Sequence, residues 1–205
     1  MKIEIPAIDN ITSAAKEFLQ KVINPPLEEV GLLFADSVKL WRFRNQVNIL
    51  TKAQKILKDK GVKTRKVSLK VLTPLLEESS VEEDSSLQDK WATLIANTVS
   101  EGSQLDTTLY SHILSQITRG EAELFEIIYE HSTTTHRSEK ISTVIKGYTP
   151  LLVKELRTSI KDFDLKLDNL LRLRLVKELN SRSIDTEVIA LTDLGFRFMT
   201  AVREI

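Results

Sequence analysis

Apolar residues recur at spacings of three and four along most of this chain, and at spacings of two only towards its C-terminal end. In residues 7–23, AIDNITSAAKEFLQKVI, the positions Ile8, Ile11, Ala15, Phe18, Leu19 and Val22 form one stripe of an amphipathic helix. Asn24-Pro25-Pro26 breaks that pattern. Pro26 with Glu28 and Glu29 behind it suits a helix's first turn, and lysines gather before Gly61, so one helix of about nine turns is expected between them. Val30, Phe34, Val38 and Trp41 make one seam of it, and Phe43, Val47, Leu50 and Leu57 continue the seam slightly rotated. Such a helix needs packing partners along its whole length. Residues 67–79 and 84–100 predict two more helices, the second with Leu87, Trp91, Leu94, Ile95 and Val99 on one face. The linker between them, SSVEEDSS, is polar and acidic, and residues 106–117 add a short helix with Asp106 as its N-cap. The expectation for residues 1–117 is an antiparallel helical bundle.

From Thr118 the order changes to helix, strand, two helices, hairpin and helix, which is the order of a winged helix. Thr118 and Glu121 have the spacing of a capping box for a helix through Tyr129. KISTVIKGY alternates as a short strand, and Thr149-Pro150 opens a helix running to about Ile160. DFDLKLDNLLRLRLVKEL reads as the third helix passing into a strand, NSRSIDT as the wing, EVIAL as the return strand and TDLGFRFMTAVRE as the closing helix. The expected fold class is therefore mainly α, with a winged-helix-like α+β domain over residues 118–205.

Composition narrows the chemistry. The chain has 205 residues, 41% of them hydrophobic, enough for one large core or two small ones. Having no cysteine, it forms no disulfide, thiolate zinc site, iron–sulfur cluster or cysteine nucleophile. The first residues lack the apolar core of a signal peptide, and no apolar run approaches the roughly 18 residues of a membrane span, so a cytoplasmic protein without a membrane partner is expected.

Acids and bases balance at 29 each, leaving no net field to draw in nucleic acid or anionic lipid. Their distribution is uneven. Between Lys39 and Lys66 there are ten basic residues against the single acid Asp59, and between Glu77 and Glu130 there are twelve acids against Lys90 and Arg119. The bland expectation is that the two stretches pair, within one chain or across a homodimer. The sharper one is that Lys39, Arg42, Arg44, Lys52 and Lys55 begin a cationic surface for an acidic partner or nucleic acid.

Six glycines and three histidines supply no phosphate loop, nucleophile elbow or HExxH helix. His131 and His136 flank STTT at a spacing that does not stack two imidazoles, and His112 reads as a packing or surface residue. The pairs Glu28-Glu29 and Glu77-Glu78 and the run Glu82-Glu83-Asp84 could hold magnesium, but each stands at a helix end or in a linker, where dipole compensation and solvation account for it. Trp41 and Trp91 read as core. No catalytic residue, metal or cofactor is assigned, and an enzyme is not expected.

A winged helix invites a DNA-binding reading in which Lys161, Lys166, Arg172 and Arg182 line the recognition helix and wing. Residues 161–204, however, carry eight bases and eight acids, and a recognition helix bearing Asp162, Asp164 and Asp168 would repel phosphates. DNA is the disfavoured partner on this ground.

Three stretches resemble the abortive-infection alpha family of bacterial phage-defence proteins. They are PPLEEVGLLFADSVKLWRFRNQVNILTKAQKIL from Pro25, LLEESSVEEDSSLQDKWATLIANTV from Leu75, and LDNLLRLRLVKEL followed by LTDLGFRFMTA. The resemblance implies a role in arresting an infected cell before phage progeny are released, without implying a mechanism or catalytic residues. Joined to the residue chemistry, it leads us to expect a non-catalytic protein that binds a phage or host protein, with a homodimer as a further possibility.

Overall fold

The apolar spacing over residues 40–59 is realised as a helix, α1 (Leu40–Asp59), in a computed structural model that describes residues 40–105, 107–135, 144–146, 159–179 and 188–203, with Phe18 and Lys21. Phe18 and Lys21 are helical and Phe18 is buried, but the rest of the helix expected over 7–23 lies outside the described residues. So do residues 26–39 of the long helix and the side chain of Trp41.

α1 ends in a left-handed turn. Gly61 adopts φ +62, its N–H donates to the Lys58 carbonyl at 3.2 Å, and the Val62 N–H reaches the Leu57 carbonyl at 3.0 Å. This pair of bonds is the Schellman closure, which a residue with a Cβ adopts only under strain. Val67 is buried beyond the turn, and α2 (Leu69–Ser79) follows, then α3 (Ser85–Val99) and α4 (Thr107–Leu114). Asp84 caps α3 through its side chain, accepting from the Ser86 and Leu87 N–H groups at 2.9 and 3.1 Å. Asp106 lies outside the described residues, and α4 is shorter than the expected 106–117.

α3 packs against α1, α2 and α4. The expected face of Leu87, Trp91, Leu94, Ile95 and Val99 is buried, Trp91 to 1% exposure, and so are Ala92, Ala96 and Thr98 on the other sides. Small residues let neighbours approach on most sides, so the buried arc is wide and only the strip of Ser86, Asp89, Thr93 and Asn97 is left towards solvent. Phe43, Leu50 and Leu57 of α1 are buried as expected, and Val47 only half so. Gln46, a polar residue between them, is 5% exposed because its Nε2 donates to the Leu76 carbonyl at 2.9 Å, near the end of α2.

The chain divides into two compact units, residues 1–115 with 201–205, and residues 116–200. The second unit holds α5 (Arg119–Thr135), β1 (Val144–Lys146), α6 (Ile160–Arg172), β2 (Val176–Leu179), β3 (Val188–Leu191) and most of α7 (Asp193–Arg203). The strands form an antiparallel sheet in the order β1-β3-β2, with Val144 opposite Ala190 and Val176 opposite Leu191. α5 packs on α6, β1 and β3. The interior is apolar, with Phe125 stacked on Phe198 at a centroid distance of 6.2 Å and Phe163, Leu170 and Leu175 buried.

The capping box at the start of α5 forms as expected: Thr118 N–H donates to Glu121 Oε2 at 2.6 Å, and Glu121 N–H to Thr118 Oγ1 at 3.4 Å. Ile160, expected near the end of a helix, is instead the first residue of α6. Ser159 before it is extended (φ −81, ψ 158), and its hydroxyl accepts from the Asp162 N–H at 3.1 Å, so a new helix starts there. The helix expected from Thr149 and the wing Asn180–Thr186 lie outside the described residues. α6 closes as α1 does, with the Leu175 N–H on the Leu170 carbonyl at 3.0 Å, but the left-handed position is Arg174 at φ 57 rather than a glycine.

Candidate functional site

The cations singled out in the sequence do not converge on one point. Lys39 and Arg182 lie outside the described residues. Arg42 and Arg44 lie near the start of α1. The Nε of Arg42 donates to Ser80 Oγ at 2.9 Å, one of three α1 side chains that meet the last turn of α2; Asn45 Nδ2 reaches the Ser80 carbonyl at 3.1 Å, and Gln46 is the third. Gln88 joins this polar cluster, donating to the Glu82 carbonyl at 2.9 Å. Arg42 is thus committed to packing, whereas Arg44 is exposed.

One turn short of the middle of α3, Asp89 meets Lys52 at 2.7 Å, and the same ammonium lies 3.3 Å from the carbonyl and hydroxyl of Ser85. This is the charge pairing expected between the basic and acidic stretches. It does not extend along the helix. Lys55, Lys58, Lys60, Lys63 and Lys66 are all exposed and, among the described residues, have no ion pair or side-chain hydrogen bond. The reason is positional. Glu77, Glu82, Glu83 and Asp84 cluster where α2 passes into α3, whereas Lys60 to Lys66 lie before α2, whose eleven residues separate the two groups by about 16 Å. Burial raises the Glu82 carboxyl above the ordinary glutamate range, its bond from the Asp84 N–H at 2.9 Å offsetting only part of that.

In the second unit, Asn169 of α6 donates to the Gln116 carbonyl at 3.0 Å and to Glu121 Oε1 at 2.8 Å, tying α6 to the capping box of α5. Arg172 in turn donates through Nε and Nη2 to Asn169 Oδ1 at 2.9 and 2.7 Å. Lys166 is half-buried, its aliphatic end lying where a Cβ on Gly120 would be. Lys161 alone of the three α6 candidates is exposed without such a partner.

The outward face of α6 is mixed in charge around one apolar residue. Leu165, 68% exposed, has the exposed Asp162 and Asp168 and the exposed Lys161 within one turn of it, and Asp164 is exposed beside it in sequence. No sequence argument singled out Leu165, because a leucine on an amphipathic helix is expected to face inward. Its register could have shown it: Phe163 and Leu170 define the buried stripe, and Leu165 falls off it. Phe196 of α7, 48% exposed, stacks on Tyr129 at 5.7 Å.

His112 is exposed on α4, and the side chains of His131 and His136 lie outside the described residues. Among the described residues no group of three or more histidine, aspartate or glutamate side chains could hold a metal ion, and no helix is long and apolar enough to cross a membrane. A family model described as abortive infection alpha matches residues 44–202. No curated protein and no solved structure matches the chain.

Proposed function

Because the chain belongs to the abortive infection alpha family, whose model covers most of it, we propose that it acts in phage defence by binding a protein, in the cytoplasm and without catalysis. The observation that carries this reading is the outer face of α6, where one highly exposed leucine stands among exposed charges, Asp162 and Asp168 on two sides and Lys161 on another. An exposed apolar residue ringed by charge is the composition of a small docking site, the leucine entering a pocket and the aspartates setting orientation and encounter rate. The partner it fits carries an apolar pocket bordered by lysine or arginine.

The same reading treats the first unit as a helical bundle centred on α3 and the second as a winged helix. Its support is the order α5, β1, α6, β2, β3, α7, with β2 and β3 paired as the hairpin. A winged-helix DNA-binding regulator is the competing reading. The charges on α6 give it no support, since Asp162, Asp164 and Asp168 offset Lys161, Lys166 and Arg172 there.

The test replaces Leu165 by a photo-crosslinking amino acid in cells challenged with phage. Illumination should yield a covalent adduct with a protein. An adduct with DNA, or no adduct at a position this exposed, would refute docking through α6.

A further inference from the structure

We infer that the first unit carries a second binding surface, at the junction of α1 and α2, that takes the phosphate backbone of a nucleic-acid duplex. The surface consists of Lys55, Lys58, Lys60, Lys63 and Lys66, all exposed and without a counter-ion among the described residues. The acids at its margin are Asp59 and Glu101.

The segment that bears these lysines is held in place by its backbone. Gly61 closes α1, the Arg65 N–H donates to the Val99 carbonyl at 2.7 Å, the Glu101 N–H donates to the Lys63 carbonyl at 2.9 Å, and Thr64 pairs with Ser100 as an antiparallel bridge. Arg65 adds a side-chain bond to the Thr98 carbonyl at 3.3 Å. Ordering the segment therefore costs a ligand little, and the lysine heads alone need to adapt.

Three features select the ligand's class. No exposed large apolar side chain lies between residues 55 and 66 among those described, the four being Val81, Leu109, Leu165 and Phe196, so the surface lacks both a hot-spot anchor for a protein and a wedge for a bilayer. Lysine is depleted at protein interfaces, yet as a compact point charge it suits phosphate oxygens. With no exposed aromatic ring in the segment there is no platform for stacking unpaired bases, which leaves the backbone of a duplex. Such binding is blind to sequence and is driven by counterion release. The inference is independent of docking through α6, because the two surfaces share no residue.

The experiment titrates the full chain into labelled DNA and RNA duplexes of arbitrary sequence, with polyglutamate as the competing polyanion. If all five lysines meet phosphates, the slope of log K against log salt is about −4.5, and affinity falls about 500-fold between about 50 and 200 mM salt. Lys55→Gln/Lys58→Gln/Lys60→Gln/Lys63→Gln/Lys66→Gln should flatten that slope towards zero with an unchanged circular dichroism spectrum. Lys161→Gln/Lys177→Gln, two exposed cations of the second unit, should leave it unchanged. Equal affinity for both duplexes identifies the shared backbone as the ligand, and a preference identifies the source as DNA or RNA. Absence of binding at low salt, tighter binding of polyglutamate, or an equal loss in the second-unit variant would overturn the inference.

Discussion

Gly195 occupies the third position of α7, where helix propensity alone favours alanine over glycine by about 1 kcal/mol. Sterics oppose it. A Cβ on Gly195 would be driven into the carbonyl oxygen of Leu175, a fully buried residue at the entry to β2. That oxygen already accepts from the Thr192 N–H at 3.1 Å and the Thr192 hydroxyl at 3.2 Å, and the same hydroxyl accepts from the Gly195 N–H at 2.9 Å. The obstacle is therefore pinned backbone rather than a side chain free to swing away, and relief requires the start of α7 to move off the turn between α6 and β2. Overpacking costs about 1–3 kcal/mol, and a clash with backbone belongs at the upper end of that range. Subtracting the propensity gain leaves Gly195→Ala destabilised by about 2 kcal/mol. In urea unfolding with an m value of about 2 kcal/mol/M, the transition of the second unit should move down by about 1 M. A midpoint equal to or above that of the parent chain would refute the steric argument.

Three other substitutions test neighbouring parts of the account. Arg174→Gly should raise stability by about 1 kcal/mol in the same unfolding assay, because glycine adopts φ 57 without the Cβ penalty. Asn169→Ala should cost about 2–3 kcal/mol, read by the same midpoint, since it leaves the buried Glu121 carboxylate short of a donor. Glu82 holds its proton more tightly in the folded chain than in the unfolded one, so ionising it opposes folding, and its contribution to stability falls as pH rises through the folded pKa. Glu82→Gln should accordingly raise the melting temperature at neutral pH, with the difference from the parent vanishing in acid below the ordinary glutamate range; a gain that persists there would contradict burial as the cause.

Local signals were the legible ones. The Thr118-Glu121 box, the limits of α2 and α3, and the placement of the three strands follow from caps, breakers and period-two Val and Ile, all of which act within a few residues. Gln46 was illegible because its partner, the Leu76 carbonyl, lies 30 residues away. The width of the buried arc of α3 escaped for a related reason, since Ala92, Ala96 and Thr98 take their surroundings from three neighbouring helices. A Ser159 cap reads the same as any serine until Asp162 is seen to meet it, so the sequence pattern alone carries a helix on to Ile160. Of the candidate surfaces, the basic stretch could be read as composition, but which lysines find a counter-ion is decided by where Asp89 falls beside α1. Leu165 was legible only through its register, which sets it off the stripe of Phe163 and Leu170.

We propose that this protein protects cells through what the outside of α6 touches. Phage plating on cells expressing Leu165→Ser combined with Asp164→Lys and Asp168→Lys tests that most directly. Plaques should return to the number seen without the protein, while the purified variant keeps the parent's melting temperature. Undiminished protection by a folded variant would contradict the account.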